Sequence, residues 1–351
     1  MKHLKDFQKE INSCSKCGLC QSECPLYKVS GNDCTVSRGH FIMLKGYLNG
    51  NLKMSKKLNN YLDMCLKCNK CSKNCPSGID VVDIIASAKS EYFKKHFFEK
   101  FISFIQKYFM MGLLVKLLSV FSKNIKSKKF SKKVIYYGGC AGKIKGNKSV
   151  VKLLNACNIE VISPKFHCCG IPLYARGDFE NYEKQMQSFF KIINKYNIKE
   201  IVTTCASCEK TLNDYKKWAE TADFKVYNIY HYIKENHLKL ELNNSVSVTY
   251  HKPCNQTNWE DIEWILNNTK NLNYTKMNGF DECCGLNGIM KFSARKIISK
   301  ICNNKHKNIL KTGAKTVLTT CLGCEAGLKL YSGFQYNVDD LANFLSKNII
   351  Q

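Results

Sequence analysis

The chain has 351 residues, a net charge of +26 from 54 Lys+Arg against 28 Asp+Glu, and 21 cysteines. With 44% hydrophobic residues it can build real cores, which excludes a disordered or collagen-like chain. Residues 1–13 are charged and lack an apolar h-region, so no export signal is expected, and a secreted disulfide scaffold of this length is excluded as well. Thiols in such a chain serve metal or redox chemistry. The positive surplus invites a nucleic-acid reading, but metal-bound thiolates lower it and the basic residues are almost all Lys, as on a solvated surface. No nucleic-acid partner is expected.

Four segments follow one another: 1–95 with nine cysteines in two tight groups, 96–133 with none, then 134–245 and 246–351 with the other twelve more widely spaced.

In the first segment Cys14-x-x-Cys17-x-x-Cys20-x-x-x-Cys24-Pro25 is repeated as Cys65-x-x-Cys68-x-x-Cys71-x-x-x-Cys75-Pro76. Three thiolates at this spacing wrap one face of an Fe4S4 cube, and the fourth reaches the other cube. Cys14, Cys17, Cys20 and Cys75 are therefore expected to hold one [4Fe–4S] cluster, and Cys65, Cys68, Cys71 and Cys24 a second. Structural zinc would use two separated Cys-x-x-Cys pairs instead.

The second segment is apolar, but Lys100, Lys107 and Lys116 interrupt it, so it is too short of apolar residues to span a bilayer. It reads as a helical connector, or as a patch that docks on a partner or lies on a membrane surface.

The remainder is an internal duplication. EIVTTCASCEKTL (200–212) matches TVLTTCLGCEAGL (316–328), and CCGIPLYARGD (168–178) corresponds to CCGLNGIMKFS (283–293). The interval from Cys140 to Cys168 is 28 and from Cys254 to Cys283 is 29. Each copy alternates short β-rich runs (VIYYGGC, EVIS, EIVTTC) with helical periodicity at 148–156 and 179–196, which implies βαβ units and a parallel sheet with the cysteines at the carboxyl ends of strands. The expected fold is thus α+β and multi-domain: an α-helical module for two [4Fe–4S] clusters, then two tandem α/β cysteine-rich modules with parallel sheets.

Five cysteines recur in each copy: Cys140, Cys168, Cys169, Cys205 and Cys208, then Cys254, Cys283, Cys284, Cys321 and Cys324. Adjacent thiolates suit an extended iron–sulfur cluster better than a tetrahedral zinc ion, though a buried zinc in one copy is the alternative. Gly170 and Gly285 would let the backbone approach inorganic sulfur. Cys157 and Cys302 fit no motif and read as core residues. Arg38 and Arg176, rare among so many Lys, are expected to pair with a carboxylate or backbone carbonyls near a cluster loop.

The stretches CSKCGLCQSECPLY, VSRGHFIMLKGYLNG and YLDMCLKCNKCSKNCPSGI resemble the iron–sulfur subunit of glycolate oxidase. The two CCG copies are similar to the cysteine-rich domains of that subunit, of heterodisulfide reductases, of lactate-utilisation proteins and of the cysteine-rich subunit of anaerobic glycerol-3-phosphate dehydrogenase. The resemblance implies an electron-transfer subunit of a flavin-dependent glycolate or D-lactate dehydrogenase. It would carry electrons from an FAD-binding partner subunit to a quinone or another carrier. It also implies one or two noncubane [4Fe–4S] clusters at the CCG motifs. With no export signal, a cytoplasmic place is expected, free or, through the apolar segment 96–133, peripheral at the inner face of the membrane. The alternatives are a disulfide reductase with catalysis at a noncubane cluster, or a protein like the cysteine-rich subunit of glycerol-3-phosphate dehydrogenase. No strand is followed by G-x-G-x-x-G, so no flavin is expected on this chain.

Overall fold

A computed structural model describes residues 1–96, 122, 124–219, 223–285, 295–333 and 335–348. Most of the connector expected at 96–133 lies outside these described residues. The chain forms two compact units, one comprising 1–106, 172–182 and 283–305, the other 107–171, 183–282 and 306–351.

The first unit is helical in its N-terminal part. Helices Ser37–Leu48, Lys56–Met64 and Val81–Lys95 pack Leu44, Leu58, Leu62, Ile84 and Ile85 against Leu4, Phe7 and Ile11 from the N-terminus. Side-chain caps start two of them: Ser55 accepts from the Leu58 amide at 3.2 Å and Asp80 from the Asp83 amide at 3.4 Å. Segment 172–182 is fastened to this helical core. Tyr174 Oη donates to Asp83 at 2.6 Å, and the Ala175 carbonyl accepts from Lys89 Nζ at 3.0 Å and from Lys67 Nζ at 2.5 Å. Gly177, at φ +87°, lies so close to the helix backbone that a Cβ would stand 2.5 Å from the Ser90 nitrogen.

The second unit holds two parallel sheets of identical topology. In the first, strands β1 (Lys132–Tyr136), β2 (Ile159–Ile162), β3 (Glu200–Thr203) and β4 (Lys225–Asn228) lie in the order β2-β1-β3-β4. In the second, β5 (Glu241–Tyr250), β6 (Lys270–Tyr274), β7 (Thr316–Thr319) and β8 (Asn337–Asp340) lie in the order β6-β5-β7-β8. The duplication read from the cysteines is therefore a duplication of fold. The fold class is α+β with two parallel four-stranded sheets.

The two sheets share one apolar core. Helix Lys148–Ala156 of the first copy packs on helix Leu341–Asn348 of the second, burying Val151 and Leu154 with Leu341 and Leu345. Each such side chain contributes about 1.5–3 kcal/mol on full burial. Helix Ile229–Glu235 packs in the same way on helix Trp259–Asn268, where Lys234 Nζ meets Asp261 at 3.2 Å.

Candidate iron–sulfur centres

Both N-terminal cysteine runs adopt the same loop. The residue before the middle cysteine and the residue after it are left-handed: Lys16 (φ 58°) and Gly18 (φ 85°) around Cys17, Lys67 (φ 55°) and Asn69 (φ 63°) around Cys68. These alternating turns bend three thiols toward one side. Pro25 then opens helix Pro25–Ser30, which leaves Cys24 at its N-cap.

Two cavities result. One is lined by Cys24, Cys65, Cys68 and Cys71, the other by Cys14, Cys17, Cys20 and Cys75 and also by Cys71. Ser37 stands between them and lines both. Arg38 borders the second cavity and meets Asp33 at 3.2 Å. Among the described residues the Arg176 side chain has no such partner. Burial pushes the Cys24 thiol up to about 11, and burial together with the neighbouring Cys65 pushes Cys71 higher still. Half-buried thiols raised in this way stay protonated at neutral pH unless a neighbouring group, such as bound iron, stabilises the thiolate.

The first CCG copy gathers all five of its cysteines. Cys140 lies in helix Gly139–Lys145 after β1, Cys168 and Cys169 in the loop after β2, Cys205 at the N-cap of helix Ala206–Tyr215 after β3, and Cys208 in that helix's first turn. Their thiols contact one another in series, Cys140 with Cys168, Cys168 with Cys169, Cys169 with Cys208, and Cys208 with Cys205. The Cys168 thiol is held well below its ordinary value by the donating thiols of Cys140 and Cys169, against the effect of burial. Two buried tyrosines fix the loop by its carbonyls: Tyr137 Oη donates to His167 O at 2.8 Å and Tyr215 Oη to Cys169 O at 2.7 Å. Five thiols in one contact series fit an iron–sulfur centre and exceed what a tetrahedral ion takes.

In the second copy Cys254 follows β5, Cys321 caps helix Leu322–Tyr331 and Cys324 lies in its first turn. Tyr250 Oη donates to Gln256 at 2.7 Å and lies 3.0 Å from Thr320 Oγ1, which ties the Cys254 loop to the end of β7. His251, equivalent to Tyr137, is buried with a ring nitrogen within 4.8 Å of Cys324 Sγ. Cys283 and Cys284 fall in the first unit. There the Gly285 amide donates to Cys283 Sγ at 3.3 Å and Cys302 Sγ to Cys284 O at 3.4 Å. Gly285, at φ +80°, is required by Cys302, whose sulfur a Cβ would strike. Cys302 is thus a packing partner of the CCG loop, while Cys157 is an ordinary core thiol pushed up to about 11 by burial.

The two Cys-x-x-Cys helix starts face each other within the second unit. The Cys205 thiol contacts that of Cys321, and the Ala206 amide donates to Thr320 O at 2.8 Å. Cys321 is held well below its ordinary value by the thiols of Cys205 and Cys324, against burial and with help from Ser207. Sequence reasoning missed Tyr137, Tyr215, Ser207 and the buried Glu209 and Glu325. Only the glutamates left a signal, each directly following a Cys-x-x-Cys.

Residues 10–79 match the family of 4Fe-4S dicluster domains, and residues 134–213 and 248–329 match the cysteine-rich domain family. The chain is an iron–sulfur protein that joins a dicluster domain to two cysteine-rich domains. An iron–sulfur protein of Methanococcus maripaludis, itself uncharacterised, is 26% identical over 339 residues, covering 92% of this chain and 68% of its own. A probable glycolate oxidase iron–sulfur subunit of Bacillus subtilis is 23% identical over 92% of this chain and 89% of its own. One subunit of the dihydromethanophenazine:CoB–CoM heterodisulfide reductase of Methanosarcina acetivorans is 23% identical over 91% and 88%. Among solved structures, a hypothetical protein from Helicobacter pylori shares the fold at a TM-score of 0.52 and 11% identity, covering 98% of this chain and 75% of that one. No helix among the described residues is long and apolar enough to cross a membrane.

Proposed function

We propose that this chain is the electron-transfer subunit of a flavin-dependent 2-hydroxy-acid dehydrogenase complex of the glycolate or D-lactate type. It receives electrons from an FAD-binding partner and passes them to a quinone or another carrier. In this reading Cys14, Cys17, Cys20 and Cys75 ligate one [4Fe–4S] cluster, and Cys24, Cys65, Cys68 and Cys71 the other. The two CCG sets ligate one or two further, noncubane clusters. The segments 1–95, 96–133, 134–245 and 246–351 then serve as dicluster module, connector and two CCG modules. Clusters, when bound, supply one-electron transfer. The protein supplies the thiols, donors to their sulfurs and the spacing between sites.

The observation that carries the reading is the meeting of the two Cys-x-x-Cys helix starts, Cys205 against Cys321. Oxidation of a hydroxy acid releases two electrons, and two adjacent one-electron sites accept such a pair. The names of the Bacillus subtilis and Escherichia coli relatives support the glycolate assignment.

The same adjacency supports a second reading, disulfide reduction at the paired CCG sites, since both copies keep all five cysteines. The heterodisulfide reductase names of the Methanosarcina acetivorans and Methanosarcina mazei relatives agree with it. Anaerobic purification with its partners, followed by dye reduction with glycolate, D-lactate, L-lactate and glycerol 3-phosphate, tests the first reading. Viologen-driven disulfide cleavage by the same complex, with no dye reduction by any acid, would replace it by the second.

A further inference from the structure

Glu209 and Glu325 occupy equivalent places, one residue beyond the Cys-x-x-Cys of each copy, and both are almost fully buried. Each carboxylate reaches across to the other copy. Glu209 Oε1 accepts from Thr257 Oγ1 at 3.1 Å and from Asn258 Nδ2 at 3.0 Å, both in the loop just after Cys254. Its Oε2 accepts from Asn228 Nδ2 at 3.4 Å. Glu325 is paired with Lys145, on the helix that carries Cys140, and with Lys329 at 2.7 Å. Two more bonds cross between the copies, one in each direction: Asn255 Nδ2 donates to Ser207 Oγ at 3.2 Å, and the Ala206 amide donates to Thr320 O at 2.8 Å.

We propose that Glu209 and Glu325 are reciprocal positioning residues: each, seated beside its own Cys-x-x-Cys, holds the segment that carries or follows the first cysteine of the opposite copy, so that the two cysteine-rich sites become ordered together. The physical reason is that a buried carboxylate must be hydrogen-bonded. Here the donors of each include side chains of the other copy, so neither helix start is fully satisfied while the opposite segment is loose. Ordering of one site lowers the cost of ordering the other, which is a coupling between sites. The two latches differ chemically. Glu209 is held by neutral hydroxyl and amide donors and needs an acceptor. Glu325 is held by ammonium groups and needs a charge. The proposal rests on the reading that both CCG sets are ligand sets.

Hydrogen–deuterium exchange on the full-length protein, purified anaerobically, tests it without depending on activity. Glu209→Ala should raise amide exchange at 254–258 about fivefold or more, the lower end of common inter-site couplings, and leave 14–24 of the dicluster domain unchanged. Glu325→Ala should raise it at 140–146 instead. Glu209→Gln, which keeps an acceptor, should restore protection at 254–258, whereas Glu325→Gln, which removes the charge, should leave 140–146 exposed. If either alanine variant fails to fold, the glutamine pair still decides. Equal effects of the two glutamines on the opposite loops, or exchange confined to each residue's own copy, overturns the proposal. Iron per chain, counted on the same wild-type sample, separates the two ideas. A count near eight with the crossed exchange pattern intact removes clusters from the CCG sites and leaves the latches standing.

Discussion

Ser207 Oγ lies 3.4 Å from Cys321 Sγ, so a hydroxyl of the first CCG copy points at a motif thiol of the second. Hydrogen bonds to cluster sulfur stabilise the reduced, more negative state and raise the potential. Ser207→Ala should therefore shift one iron–sulfur signal to a more negative midpoint and leave the dicluster signals in place. A redox titration followed by electron paramagnetic resonance reads this directly. An unchanged set of midpoints would mean that the hydroxyl does not bear on the second-copy site.

Cys24 lines the cavity of Cys65, Cys68 and Cys71, while Cys75 lines that of Cys14, Cys17 and Cys20. Serine is a poorer iron ligand than thiolate. Cys24→Ser should reduce the iron content by up to one cluster and remove or alter the signal of the Cys65 site. The Cys14 site should persist. Loss of the Cys14 signal alone, in a double comparison with Cys75→Ser, would reverse the pairing.

The cysteine spacing made the dicluster loops legible, because ligand geometry leaves few ways to place three thiols two residues apart. The duplication also showed through, since the Cys-x-x-Cys and CCG offsets survive where the rest has diverged. Strands β1, β2 and β3 announced themselves by β-branched runs such as EIVTTC, whereas β4 (KVYN) and β8 (NVDD), no shorter than β2 and β3, are too polar to read. What stayed hidden depends on tertiary contact. Nothing in the sequence places Gly177 against the Ser90 backbone, or the Thr257 hydroxyl against Glu209, because those partners are distant in sequence. Cys302 is the core thiol that the sequence suggested, but only the packing joins it to Gly285.

Gly177→Ala separates backbone strain from steric collision. Gly177 has φ +87° and would set a Cβ 2.5 Å from Ser90 N and 2.7 Å from Lys89 C. Gly31 also has a positive φ, at +62°, but nothing stands within 4 Å of its Cβ position. Left-handed backbone costs a non-glycine residue about 1–2 kcal/mol. Gly31→Ala should lose about that much, and Gly177→Ala distinctly more, because the collision is with backbone that cannot rotate away. Thermal melts of the two variants decide the matter. Equal losses would show that segment 172–182 yields without cost.

Asp340 offers a pH test with a built-in control. It ends β8 at the register position that Asn228 holds at the end of β4, since Thr319 pairs with Asp340 as Thr203 pairs with Asn228. Both cap a following helix: Asp340 Oδ1 accepts from the Asn343 amide at 3.1 Å, and Asn228 Oδ1 from the Tyr230 amide at 3.5 Å. Burial pushes the Asp340 carboxyl up to about 6; Lys145 opposes this, and Glu325 and Asp339 reinforce it. The folded state therefore holds a proton on Asp340 over a range where the unfolded chain, with its carboxyl near 3.8, has lost it. Stability contributed by that proton is present below pH 3.8 and is lost as pH rises through about 6. The loss amounts to about 3 kcal/mol at about 1.4 kcal/mol per tenfold. Asp340→Asn reproduces the first copy's arrangement, keeps the cap acceptor and cannot ionise. Relative to wild type, the variant should gain about 2.5 kcal/mol as the pH is raised from about 4 to 7, with little further gain above pH 7. Urea unfolding of both proteins across this range, followed by tyrosine fluorescence, measures the difference. A variant curve parallel to wild type, or one that falls as pH rises, would mean that Asp340 is already ionised in the fold and stabilised by Lys145.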